Sequence, residues 1–181
     1  MPRIPTVQSR EALAPEHWPI YDAITASRGH ATGPWAVLLN SPVLAARTAD
    51  LGAYLRFEST LDDRTREAVI LATARAMGCR YEWADHAPIA RQAGLSDGVI
   101  AAIRERRNTE LPPAIAQLVN YAQTLVQEHT ASEEEVKGME ARLGVQGVLE
   151  LTATVGYYTF LATTLNAFAV EPAKGSELLP T

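Results

Sequence analysis

Apolar residues recur every three or four positions along almost the whole chain, and no stretch keeps the strict alternation of a half-buried strand. The pattern predicts an all-α fold. Pro15 through Ser27 forms a first helix with Trp18, Tyr21 and Ile24 on one side, stopped by Gly29. Gly29 to Asn40, which contains Gly33-Pro34-Trp35, reads as a loop. Ser41-Pro42 opens the next helix, with the serine as cap and Leu44, Thr48, Leu51 and Leu55 on one face. Asp62 and Asp63 then stand where acidic side chains oppose the positive end of a helix running to about Met77. Gly78 allows a break before a helix from about Cys79 to Ala93, which ends at Gly94. Ser96 caps its successor, and Leu95 packs on Ile100 as a hydrophobic staple.

Beyond Pro112-Pro113, the residues Ile115, Leu118, Val119, Ala122, Leu125 and Val126 form one continuous helical stripe. Ser132 with Glu135 satisfies the capping-box pattern for a helix that ends at Leu143-Gly144. The last helical segment, Val145 to Val170, carries one charge, Glu150, and is about as long as a bilayer is thick. Gln146, Asn166 and its threonines suit lipid poorly. It is read as a helix buried in a bundle or a subunit interface, and no membrane partner is expected. The organisation expected is a single helical domain over 1–181: an N-terminal helix and loop to about 40, a core from about 41 to 170, and a tail over 171–181.

Charge narrows the partners. A net charge of −5 without a basic stripe argues against nucleic acid, which needs cations to neutralise phosphates. Cys79 is the only cysteine, so no disulfide, CxxC pair or multi-thiolate zinc site forms within one subunit, and a reducing cytoplasm is the expected compartment. Met1 to Arg10 has two prolines and no apolar run, unlike a secretory signal.

Reactive side chains concentrate between Glu67 and His86. Glu67 is in phase with Ile70, Leu71 and Ala74, which puts a carboxylate on an apolar helical face. Such a carboxylate either pairs with an arginine such as Arg75 or Arg91 or takes part in acid–base chemistry. Cys79, Glu82 and His86 follow at intervals of three and four, on one face of the next helix. Near that helix start, partial positive charge would favour the Cys79 thiolate. His86 is the group that titrates most readily near neutral pH, and a hydrogen bond to Glu67 or Glu82 would fix its tautomer. Tyr81 and Trp83 are candidate walls for a substrate, and the loop carrying Trp35 and Asn40 is a candidate for closing one side. Glu67, Glu82, Asp85 and His86 supply Glu-x-x-Asp-His once, where di-iron bundles repeat Glu-x-x-His, and no metal is expected.

Glu67, Cys79 twelve residues on and His86 seven further reproduce the Glu, Cys, His spacing of the carboxymuconolactone decarboxylase and alkylhydroperoxidase D superfamily, which the chain resembles. Arg66-Glu67, Gly78-Cys79-Arg80-Tyr81-Glu82-Trp83 and Ala93-Gly94-Leu95-Ser96 are similar as well. The resemblance implies an alkylhydroperoxidase D-like helical bundle that forms homo-oligomers, trimers or hexamers, with the site near a subunit interface. Where alkylhydroperoxidase D has a second cysteine, three residues after the first, this chain has Glu82, and a dithiol cycle cannot run. It looks closer to the decarboxylase branch, whose members act on small carboxylated lactones without metal or organic cofactor. The leading expectation is a lyase in which His86 moves a proton, Glu67 orients it, and Glu82 and Cys79 tune the site. A one-cysteine peroxide reductase regenerated by an external thiol, and a non-catalytic oligomeric binding protein, are the alternatives.

Overall fold

The computed structural model describes residues 1–180, and among these the regular structure is entirely helical. The helices are α1 (Trp18–Arg28), α2 (Pro34–Leu38), α3 (Pro42–Ala53), α4 (Asp63–Ala76), α5 (Arg80–Gln92), α6 (Asp97–Arg104), α7 (Pro113–Glu128) and α8 (Glu133–Ala167). Chain contacts divide them into two compact units, Met1–Glu58 with Thr164–Glu171, and Ser59–Thr163 with residues 172–180.

The first unit holds α1 to α3, a wide turn over Tyr54–Glu58 and the last turn of α8. α1 is preceded by a short tight turn at Pro15–His17 and stops at Gly29, whose φ of 78° carries the left-handed cap. The expected loop at 29–40 contains α2, five residues long and wholly buried, with Pro34 in its first turn. One helical turn is too short to show a periodicity. α3 starts after Ser41 as expected, although the serine makes no side-chain capping bond. Its face is also rotated from expectation: Ala45, Thr48, Gly52 and Leu55 are buried, whereas Leu44 and Leu51 are 46% and 48% exposed. Small side chains face inward here, letting helices approach closely, and counting large apolar residues alone selects the wrong side.

The second unit carries the main core. α4 packs on α5, α6 and α7, and its residues from Thr65 to Ala74 are buried all round. The Asp62 carboxylate accepts hydrogen bonds from the Thr65 amide and hydroxyl, both at 2.8 Å, and so caps α4 by direct bonding as well as by charge. Leu95 and Ile100 are both buried in this core, Ser96 accepts from the Val99 amide, and Ser132 and Glu135 exchange the reciprocal bonds of a capping box. Gly144, at φ 70° and ψ 171°, interrupts α8 where the sequence predicts one helix to end and another to begin. No helix among the described residues is long and apolar enough to cross a membrane.

α8 turns one face inward with Leu151, Thr154, Val155, Tyr158 and Leu161 buried. Glu150 is buried on the same helix. Its carboxylate accepts from the Thr60 amide at 2.7 Å, the Thr60 hydroxyl at 2.6 Å and the Gln146 side chain at 2.9 Å. Several donors offset the desolvation of an acidic group, and here they tie the segment leading into α4 to α8. Residues 172–180 also belong to this unit: Leu179 is in the core cluster, and Glu177 pairs with Arg91 at 2.7 Å and Arg104 at 3.4 Å.

Candidate active site

Four side chains from two successive helices meet in the second unit. α4 leads to a tight turn in which Gly78, at φ 59°, lets the chain reverse, and the Cys79 amide donates to the Ala74 carbonyl at 2.8 Å. Cys79 thereby becomes the N-cap residue of α5, and its carbonyl accepts the first helical bond, from the Trp83 amide. With α5 anchored, Glu82 and His86 lie one turn apart and face α4, where Glu67 waits two turns from the end. All four are withdrawn from solvent: Glu67 is 2% exposed, Cys79 0%, Glu82 3% and His86 3%.

The His86 imidazole Nδ1 lies 2.8 Å from Glu67 Oε2. An ionised carboxylate only accepts, so Nδ1–H is the donor and the histidine is held as that tautomer. Nε2, on the opposite side of the ring, stands 3.6 Å from Glu82 Oε2, beyond a hydrogen bond but within reach of an ion pair when the ring is protonated. Arg75 and Arg91, the alternative partners for Glu67, are committed elsewhere: Arg75 donates to the Arg104 carbonyl at 2.6 Å and Arg91 pairs with Asp97 and Glu177. The partner of the buried carboxylate is the histidine.

Cys79 departs from expectation. Burial pushes its thiol from 9.0 up to about 12, the nearby Glu82 charge pushes the same way, and the amides of Glu82 and Tyr81 at the helix start only partly oppose them. Desolvation exceeds the helix-end field, and the thiolate favoured by sequence position alone is not the resting form.

Of the candidate walls, Trp83 is fully buried within the core cluster and Tyr81 is half-buried. Trp35 and Asn40 belong to the first unit. There the Arg28 guanidinium stacks 4.1 Å over the Trp35 ring, and the Asn40 amide donates to the Pro5 and Val37 carbonyls. A pocket of about 330 Å³ beside α7 and the start of α8, lined in part by Gln117, Tyr121 and Met139, includes none of the four catalytic candidates. Sequence reading missed Tyr158, which is buried on α8 with its ring edge-on to His86, 5.0 Å between centroids and at 89°. Two adjacent tyrosines in an otherwise apolar run were the available signal, because buried phenols need polar partners.

The helical bundle has an alkylhydroperoxidase D-like fold. The sequence model of the carboxymuconolactone decarboxylase family matches residues 42–124, from α3 into α7 and across all four side chains. Over those residues the chain is similar to the carboxymuconolactone decarboxylase family. No curated protein sequence matches it. Similar solved structures include an uncharacterized peroxidase-related protein of the alkylhydroperoxidase AhpD core type from Ralstonia eutropha JMP134, with TM-score 0.80 and 16% identity over 96% of this chain and 93% of that one. The debrominase Bmp8, solved with 2,3,4-tribromopyrrole, gives 0.75 and 15% over 94% and 91%. An uncharacterized peroxidase-related protein from Silicibacter sp. TM1040 gives 0.74 and 15% over 96% and 94%. At these identities the likeness is one of fold.

Proposed function

We propose that this chain is a cofactor-independent enzyme of the carboxymuconolactone decarboxylase type, which transfers a proton on a small carboxylated lactone or related carbonyl compound. The observation that carries the reading is the buried 2.8 Å contact between His86 Nδ1 and Glu67. Orienting an imidazole through one nitrogen leaves the other to work as acid or base, the arrangement general acid–base catalysis requires. In decarboxylation, the bond between the substrate carbon and its carboxylate breaks, carbon dioxide leaves, and the electron pair passes into the adjacent carbonyl as an enolate. His86, having taken up a solvent proton at Nε2, delivers it to that carbon and returns to the neutral Nδ1–H form, so each carbon dioxide released consumes one proton from solvent. Glu67 holds the ring throughout, and the Glu82 carboxylate stands 3.6 Å from Nε2 on the other side. Tyr81 and Trp83, in the same unit as His86, remain the proposed substrate contacts.

Carboxymuconolactone is the first substrate to try, with loss of the lactone chromophore and release of carbon dioxide as readouts. Turnover abolished in His86→Gln and retained in Cys79→Ala supports the reading; turnover lost only in Cys79→Ala contradicts it.

A thiol peroxidase is the second reading, favoured by Cys79 standing at the start of α5 with the Tyr81 and Glu82 amides nearby. The peroxide would oxidise the thiol to sulfenic acid, with loss of an alcohol or water, and an external thiol would reduce it. Rapid consumption of an alkyl hydroperoxide by wild type and none by Cys79→Ala would establish it. The proposed working form is a homo-oligomer, trimer or hexamer, in the cytoplasm; Val145 and Leu149, one turn apart on α8 and 69% and 68% exposed, offer apolar surface to a second copy. Light scattering that returned a monomer at micromolar concentration would contradict it.

A further inference from the structure

We infer that Tyr158 is a positioning residue for His86, setting the plane of the imidazole so that Nδ1 meets Glu67. The inference rests on the proton-transfer reading and extends it to a third helix. His86 sits on α5 and Glu67 on α4; the hydrogen bond between them fixes one ring nitrogen, while the side-chain torsion that turns the ring plane has a broad energy well that packing must narrow. Tyr158, from α8, meets the imidazole at 89° with 5.0 Å between centroids. Behind it the Tyr157 ring stands at 82° and 5.4 Å from that of Tyr158, a second edge-on contact that backs the first. Both tyrosines and the histidine are at least nine-tenths buried.

α8 is itself held on this side of the unit. Two turns before Tyr158, Glu150 grips Thr60, and the Thr154 hydroxyl between them donates to the Glu150 carbonyl at 2.8 Å. The segment gripped at Thr60 leads directly into the cap of α4 at Asp62, the helix that carries Glu67. The same stretch of α8 thus anchors the start of the helix holding the carboxylate and presents the ring that orients the imidazole.

The test is nitrogen-15 NMR of the His86 side chain in the full chain near neutral pH, with its signals assigned by their loss in His86→Gln. Wild type should show one tautomer, protonated at Nδ1, with a slowly exchanging ring proton. Tyr158→Met, which keeps bulk without a flat ring, should give averaged shifts of both tautomers and faster proton exchange. Leu161→Ala removes core volume from the same helix and should keep the single tautomer. A Tyr158→Met protein with the wild-type tautomer and exchange overturns the inference, and so does a Leu161→Ala protein that loses them equally. Glu67→Leu, which removes the acceptor, separates the two levels: if His86 keeps its tautomer there, the glutamate–histidine pair fails, whereas failure confined to Tyr158→Met removes only the tyrosine's part.

Discussion

His86 Nδ1 and Glu67 Oε2 lie 2.8 Å apart on side chains that are 4% and 3% exposed. A hydrogen-bonded pair this deep excludes water, and removing one member leaves the other desolvated and unpaired. Glu67→Ala is therefore expected to lower stability by about 1–3 kcal/mol. Glu67→Gln preserves the volume and should cost less stability. It should still lower turnover about 100-fold or more, comparable to His86→Gln, because an orienting acceptor becomes a group that can also donate. Paired urea melts and steady-state kinetics of the three variants check this.

Cys79 predicts an alkaline limit to stability. Its folded-state value lies above the ordinary 9.0, at about 12, so the folded protein holds the proton more tightly than the unfolded chain does. The contribution is complete below 9.0 and is lost as pH rises toward 12. Cys79→Ala should lack this component. The difference between wild-type and variant unfolding free energies, followed across that range, should shrink as pH rises.

Glu150 predicts a structural cost away from the chemistry. Glu150→Gln turns one acceptor into a donor facing Thr60 and should lower stability by about 1–3 kcal/mol. Thr60→Ala removes only the hydroxyl bond and should cost about 1 kcal/mol. For a chain of this length each kcal/mol shifts the melting temperature by about 2–4 °C, which calorimetry resolves.

Two residues of the C-terminal segment should behave differently. Leu179 is 4% exposed in the core, and Leu179→Ala should cost about 2–5 kcal/mol. The Glu177 contacts with Arg91 and Arg104 join side chains that are 30% to 38% exposed, so Glu177→Ala should cost no more than about 1 kcal/mol, less at high salt. Thermal melts with and without added salt discriminate them.

The site was legible where its geometry is local. Cys79, Glu82 and His86 share a face because helical spacing places them there, and Glu67 could be put on an apolar face by its phase with Ile70, Leu71 and Ala74. Periodicity did not choose between Glu67 and Glu82 as the partner of His86, since that depends on how α4 meets α5. Tyr158 is 72 residues beyond His86, and a segment whose sequence is apolar all round carries no phase to show which side chain reaches another helix. The thiolate expected at Cys79 failed for a related reason: the field of the helix start is visible in the sequence, whereas complete burial comes from tertiary packing. α2 and the inward face of α3 were missed because one was too brief and the other too small-sided for apolar spacing to reveal.

In the proposed function the chemistry belongs to the glutamate–histidine pair and not to a resting thiolate. The most direct measurement is the rate of Cys79 alkylation by iodoacetamide between about pH 5 and 10, in wild type and in His86→Ala. A slow reaction with no thiolate step at or below 9.0, unchanged by loss of His86, is the predicted result. Rapid alkylation already present at about pH 6 to 7 and abolished in His86→Ala would contradict the account and move the chemistry to sulfur.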